Sequence, residues 1–179
     1  MRLPPASLLL AALLGLSQCK KSDPIPPPTL SQLDLLPLAT QTGQRTFGCL
    51  VNGQAWTPAG SPFAGPLFTA QYYNNQLTLV ATRGIVKNGQ TISDLIQLNI
   101  NRIDSPGQYI LSRPDTSFVN YHNLVANCAY YTDATHPATV VIMKLDFVNR
   151  IVSGTFAFTL ETPACGKVVV TDGRFDSRF

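Results

Sequence analysis

The chain has 179 residues, of which 45% are hydrophobic and only 13% charged, about half the usual charged share. With 12 glycines and 14 prolines, it is too rich in turn formers for a helical bundle and too apolar for a disordered chain. A formal net charge of +3, with no basic run to concentrate it, excludes the usual electrostatic signature of a nucleic-acid binder. Glu161 is the only glutamate, and that scarcity of a strong helix former leans toward β structure.

The N-terminus reads as an address. Met1-Arg2 supplies a short positive region, and residues 6–16 are nearly unbroken Ala and Leu, the length of a secretory apolar segment and too short to span a bilayer. Leu16-Ser17-Gln18-Cys19 follows and resembles the lipobox of bacterial lipoproteins, with Gln18 where Gly or Ala is usual. The resemblance implies cleavage before Cys19 and acylation of that cysteine by a diacylglyceryl thioether and an N-acyl chain such as palmitate. Acyl chains stabilise membrane attachment by about 0.8 kcal/mol per buried CH₂, so two or three give a lasting anchor. The alternative is an ordinary cleaved signal peptide, with Cys19 joining the disulfide pool. Pro24, Pro26, Pro27 and Pro28 favour extended polyproline II and read as a stalk. Five leucines between Leu30 and Leu38 suggest a short turn docked on the domain and ended by Pro37. The expected organisation is a signal over residues 1–18, a lipidated tether over 19–44 and a folded domain over 45–179.

From Thr46 onward the apolar period is two, the period of strands. Phe47, Cys49 and Val51 share one face, as do Phe68, Ala70 and Tyr72, then Leu77, Leu79 and Ala81, and Ile96, Leu98 and Ile100. Val141, Met143, Leu145 and Phe147 are expected to form another inward face, as are Val152, Phe156, Phe158 and Leu160. In the last strand Phe175, Ser177 and Phe179 point inward, with Arg174, Asp176 and Arg178 outward. Asn74-Asn75, Asn88-Gly89 and Asp172-Gly173 are two-residue hairpin signals, because these residues tolerate positive φ. The first strand of the closing pair would carry Val168 and Val170. Ser105-Pro106-Gly107 and Arg113-Pro114-Asp115 break the chain, residues 146–150 make a longer hairpin connection, and Gly154 suggests a bulge. Roughly nine or ten short strands of one-sided polarity predict an antiparallel two-sheet sandwich, with a closed β-barrel as the alternative.

The opening stretch Thr46-Phe47-Gly48-Cys49-Leu50-Val51-Asn52-Gly53-Gln54-Ala55-Trp56 resembles that of an uncharacterised family of Bacteroidetes lipoproteins. Ile151-Val152-Ser153-Gly154-Thr155-Phe156 and Thr171-Asp172-Gly173-Arg174-Phe175-Asp176 are similar to its C-terminal portion. The shared motifs are turn glycines and inward aromatics. The resemblance implies an outer-membrane setting and carries no reaction.

With Cys19 lipidated, Cys49, Cys128 and Cys165 remain, and three thiols allow one bridge in three ways. Their places near strand ends favour Cys128–Cys165, with both Cys49 pairings open. His122 and His136 have no partner at ligand spacing, so they indicate no metal. Asp133 and His136 resemble half a triad, without a nucleophile motif. Asp172-Gly173-Arg174-Phe175-Asp176 lacks the calcium-loop spacing. No catalytic residue, cofactor site or metal site is read from the sequence. Trp56, Tyr73, Tyr130 and Tyr131 are candidate ligand contacts, since strand alternation must send Tyr73 and one of the last two outward. The leading expectation is a non-catalytic binding or structural module of the cell envelope, anchored in the outer membrane by lipid, with a protein or glycan ligand. The alternative is an envelope hydrolase acting on glycan or ester bonds through scattered Asp and His residues. Mass spectrometry of the mature N-terminus is expected to find an acylated Cys19. An unmodified cysteine in the membrane fraction, or unchanged anchoring of Cys19→Ala, would overturn the lipobox reading.

Overall fold

A computed structural model describes residues 30–61 and 65–179. Eleven strands form two antiparallel sheets packed as an open sandwich, not a closed barrel. The six-stranded sheet has the order β2-β1-β11-β10-β9-β6. Its strands are β1 (Thr46–Val51), β2 (Gln54–Trp56), β6 (Gly107–Leu111), β9 (Ala138–Asp146), β10 (Ile151–Thr162) and β11 (Gly166–Arg178). The five-stranded sheet has the order β3-β4-β5-β7-β8, from β3 (Phe68–Tyr73), β4 (Gln76–Lys87), β5 (Gln90–Asn101), β7 (Phe118–Asn123) and β8 (Cys128–Tyr131).

Local chemistry explains the hairpins. Asn74 and Asn75 both hold positive φ between β3 and β4, and Asn88-Gly89 does the same between β4 and β5. The resulting register aligns Leu77, Leu79 and Ala81 with Ile100, Leu98 and Ile96, all fully buried. Facing them, Phe47 packs against Trp56, Phe68 and Phe156 at ring-centroid distances of 5.9, 5.1 and 5.0 Å. This aromatic cluster joins the two sheets across the core.

Two expectations are corrected by bulges. Asp172-Gly173 is not a hairpin turn, because β11 runs through it without reversing. Against β10 the pairing steps from Phe156–Gly173 to Phe158–Val170, so Thr171 and Asp172 together oppose Ala157. Asp172 spends its positive φ of 54° on that bulge. The extra residue flips the side-chain phase: Val168 and Val170 face the core before it, and Phe175 faces the core after it. The second bulge lies on β9, where Ser153 pairs with Lys144 but Gly154 pairs with Ile142, leaving Met143 extra. Val140 and Ile142 are therefore the buried residues, while Val141 and Met143 turn away, and Leu145 returns to pack on the core. The expected inward set Val141, Met143, Leu145 and Phe147 had the wrong phase before the bulge. Gly154 sits beside it because a Cβ there would lie 2.2 Å from the Val141 carbonyl oxygen.

The outer face of the six-stranded sheet is covered by the chain's own upstream segment. Leu33–Leu35 form one 3-10 turn, Leu36 is buried, and Gln32 Oε1 accepts from the Ala55 amide. Pro37 crosses Gly48, where a Cβ would meet its ring at 2.6 Å, and its carbonyl accepts from Arg174 Nη1. Arg174 is thus tied to this strap rather than bare at the surface. Residues 40–44 then wrap the Asp176 carboxylate, which accepts from Thr40 Oγ1 at 2.6 Å and from the amides of Thr42, Gly43 and Gln44 at 2.9, 2.7 and 3.3 Å. Asp176, expected outward, does lie on the outer face, but the strap leaves it only 1% exposed. The strap begins upstream of residue 45, where the folded domain was expected to start.

Burial pushes the Asp176 carboxyl up, and the four hydrogen bonds together outweigh it, leaving the group below its ordinary value. A lowered folded-state value means that this stabilisation is complete above the unfolded value, near pH 4, and drains away as pH falls through the folded one. Asp176→Asn is expected to cost about 2 kcal/mol at neutral pH, since charge-assisted bonds become neutral and one amide hydrogen pair faces donors. Urea unfolding checks this: the gap between wild type and variant should shrink when the measurement is repeated in acid.

Candidate functional site

The structure divides the four expected contact aromatics into two kinds. Trp56 is fully buried and its Nε1 donates to Asp94 Oδ2 at 3.2 Å, so it is a core residue rather than a ligand contact. Tyr130 is also buried, with its hydroxyl donating to the Cys165 carbonyl at 2.9 Å. Alternation sent one of Tyr130 and Tyr131 outward, and that one is Tyr131; Trp56 and Tyr130 keep their polar tips bonded inside the protein. Tyr73 is 76% exposed at the end of edge strand β3. Tyr131 points outward from β8, half-buried, beneath the Arg113 guanidinium at 4.0 Å from its ring centre.

The cysteines follow the favoured pairing. Cys128 and Cys165 form a disulfide that ties β8 to the turn between β10 and β11. Cys49 is a free, buried thiol whose pKa is pushed up to about 12, chiefly by burial. Cys19, the signal and the proline run lie outside the described residues. His136 and Asp133 contact each other at 3.2 Å, and Asp133 also accepts from the Thr135 and His136 amides. These bonds, the Thr135 hydroxyl first, hold the Asp133 carboxyl well below its ordinary range. The arrangement is a self-contained turn. Among the described residues no three His, Cys, Asp or Glu side chains gather in a metal-holding group.

Three concave regions away from that turn bear on ligand binding. A groove of about 830 Å³ lies between the strap and β3, lined mainly by Leu35, Leu36, Pro58, Pro66, Leu67 and Phe68. It is largely apolar, with Arg45, Thr46 and Thr57 as its polar members. A second cleft, of about 520 Å³, lies on the strapped sheet beside Ala39 and Arg174. The third is a cleft of about 410 Å³ on the outer face of the five-stranded sheet, lined by Gln76, Asn99, Asn101 and the loop from Arg113 to Thr116.

That third face has a distinct chemistry. Side chains alternate with the buried Leu79, Leu98 and Val119, so Gln71, Gln76, Gln97, Asn99, Asn101 and Asn120 all stand on the outward face. Six carboxamides share the face with Phe118 and Tyr131 and with no acidic strand residue. Gln76 Nε2 donates to Asn99 Oδ1 at 2.6 Å, and Asn101 Nδ2 donates to the Thr116 carbonyl at 2.5 Å. These bonds fix two of the amides and anchor the loop that walls the cleft. Asn120 Oδ1 is shielded from solvent with no hydrogen-bond partner among the described residues. An unpartnered acceptor of this kind is uncommon in folded proteins. Sequence reading found Tyr131 here but missed the carboxamides, although their alternation with Leu79, Leu98 and Val119 was the available signal.

The chain belongs to the family described as Domain of unknown function (DUF6252), which it matches over residues 61–177. No curated protein and no solved structure matches the chain.

The thiol arrangement is open to direct check. Peptide mapping without reductant is expected to recover Cys128 linked to Cys165, with Cys49 alkylated only after denaturation, because a thiol raised to about 12 supplies almost no thiolate at neutral pH.

Proposed function

We propose that this member of the DUF6252 family is a Bacteroidetes lipoprotein, held in the outer membrane through Cys19, that binds glycan non-catalytically on its five-stranded sheet. The observation that carries the reading is the row of six outward carboxamides on one sheet face that has no acidic strand residue. A carboxamide offers two donors and an acceptor without charge, which suits sugar hydroxyls that both donate and accept. The strand surface is firm where the carboxamides stand, because Leu77, Leu79 and Ala81 of β4, Ile96, Leu98 and Ile100 of β5, and Val119 and Tyr121 of β7 are locked in the core. On the other sheet residues 36–44 lie across β1 and β11, and the cleft that remains beside Ala39 and Arg174 carries no carboxamide. A cleft of about 410 Å³ falls within the roughly 300–1,000 Å³ typical of small-ligand sites.

The hydrolase alternative needed Asp133 and His136 to meet a second carboxylate. Their turn instead satisfies itself, and it borders a different, shallow region beside Pro137 and Thr159.

The test is retention of the full-length protein on envelope polysaccharide and on peptidoglycan, followed by titration with the retained material. Gln97→Ala combined with Asn99→Ala is expected to weaken binding about thirtyfold, since two hydrogen bonds of roughly 1 kcal/mol each are removed. Absence of binding to any glycan, or equal binding by the double variant, would overturn the reading.

A further inference from the structure

We infer that the glycan taken by this face is acidic, carrying one carboxylate per sugar, and that Arg113 receives that carboxylate. The inference rests on the glycan reading above and names the ligand class of the same site. Its ground is the way the guanidinium is held. Arg113 leaves the loop after β6 and lies over two outward rings, Tyr131 at 4.0 Å and Phe118 at 4.9 Å from their centres. Phe118 is on β7 and Tyr131 on β8, so the platform belongs to the rigid sheet while the cation comes from the loop. Such cation–aromatic contacts orient a guanidinium without consuming its N–H donors.

Those donors are unspent. Among the described residues, the ion pairs join Arg83 to Asp94, His136 to Asp133 and Lys144 to Asp146, and none involves Arg113. Arg113 is also without a side-chain hydrogen bond to protein there, and it lies exposed at the rim of the carboxamide cleft. An oriented, unpaired planar fork is the geometry that takes a carboxylate in two parallel hydrogen bonds. Gln76, Asn99 and Asn101 line the same cleft and face the hydroxyls of the same sugar.

Asp115 narrows the class further. It lines the cleft two residues beyond Arg113, contributing a second charge of opposite sign. A densely sulfated or phosphorylated chain would meet repulsion there, whereas a uronate can donate its hydroxyls to Asp115 while its carboxylate sits on Arg113. A neutral glycan would leave the guanidinium unpaired. An acidic peptide would satisfy the charge, but it offers the six carboxamides one donor and one acceptor per backbone residue, fewer than the several hydroxyls of each sugar.

The experiment titrates the full-length protein with four probes: polygalacturonate, its fully methyl-esterified form, neutral dextran and poly-glutamate. Polygalacturonate is expected to bind at least tenfold more tightly than the methyl ester, with a preference that weakens as salt rises. Arg113→Gln should remove that preference while leaving binding of the methyl ester unchanged. Arg113→Lys should keep only part of it, because an ammonium cannot form the planar pair. Lys167→Gln, exposed on the opposite sheet, should change nothing. Equal binding of the acid and its ester, or an Arg113→Gln protein that still prefers the acid, would overturn this inference while leaving glycan binding in place. Tightest binding to poly-glutamate would overturn it in favour of an acidic peptide. Failure of all three polysaccharides to bind would remove the glycan reading itself. Should Arg113→Gln fold poorly by circular dichroism, the comparison of acid and ester on wild type and Arg113→Lys decides alone.

Discussion

The sandwich depends on one buried carboxylate. Asp94 on β5 is 3% exposed and accepts from Trp56 Nε1 at 3.2 Å, Arg83 Nη2 at 2.5 Å and Tyr121 hydroxyl at 3.2 Å. Trp56 ends β2 in the six-stranded sheet, while Arg83, Asp94 and Tyr121 lie on β4, β5 and β7 of the other. One side chain therefore fixes how the sheets lie on each other near that edge. The Arg83 guanidinium also lies 5.3 Å from the Trp56 ring centre, so the cation is held by charge and by ring at once. Burial, with the Asp94 charge beside it, pushes the Tyr121 hydroxyl well above its ordinary range and keeps it a donor. An ion pair this deep gains little net stability over apolar packing, but losing one member leaves the other buried and uncompensated, a penalty of roughly 3–5 kcal/mol. Its contribution is a single arrangement of the sheets. The disulfide from Cys128 to Cys165 does similar work elsewhere, joining β8 of one sheet to the β10–β11 turn of the other.

With the sheets fixed, their outer faces have separate fates. The six-stranded sheet is overlaid by residues 36–44, held by four donors to Asp176 and by the Lys144 ammonium donating to the Gln41 carbonyl at 3.2 Å. Gly48 permits this close approach, since any side chain there would displace Pro37. The five-stranded sheet keeps its outer face open. Its polar residues are carboxamides and threonines rather than the Lys and Glu that usually keep a sheet face solvated. Uncharged polar groups are less strongly hydrated than ions, so exchanging their water for a ligand costs less. That difference in composition, more than any pocket volume, separates the two faces.

What the sequence made legible was set by how local each cause is. Asn74-Asn75 and Asn88-Gly89 were readable because positive φ is a property of the residues themselves. Asp172-Gly173 carries the same local signal, yet it served a bulge, because the hydrophobic phase change from Val170 to Phe175 can be absorbed by a turn or by one extra residue. Only the neighbouring strands β1 and β10 decide between them. The Met143 bulge had no local signal on its own strand; the clue was Gly154 across the ladder. Trp56 was readable as a core residue only through its pairing with Cys49 on β1, and alternation left open which of Tyr130 and Tyr131 faces inward. The Arg83–Asp94 pair was within reach. A two-residue turn at Asn88-Gly89 places position 83 opposite position 94, and both fall in phase with the buried Ala81 and Ile96. The Asp176 site was not, because Thr40 is 136 residues away and the strap has no periodicity to announce it.

The same separation of faces bears on the proposed anchoring. The described chain starts at Leu30, and its next residues contact β2, through Gln32 and Ala55, before crossing β1 and β11. Under the proposed anchoring at Cys19, the tether would reach the sandwich on the six-stranded side. The carboxamide face lies on the other sheet, across the full thickness of the sandwich, which for packed sheets is about 10 Å between backbones. An anchor and a ligand site so placed on opposite faces would let the domain hold the proposed glycan without the membrane occluding it. The strap carries the chain from that entry point to β1. Gln32 holds its start on β2, Leu36 is buried, and residues 40–44 close around Asp176 before β1 begins. The buried carboxylate with its four donors thus keeps the last part of the strap on the six-stranded sheet and away from the carboxamide face.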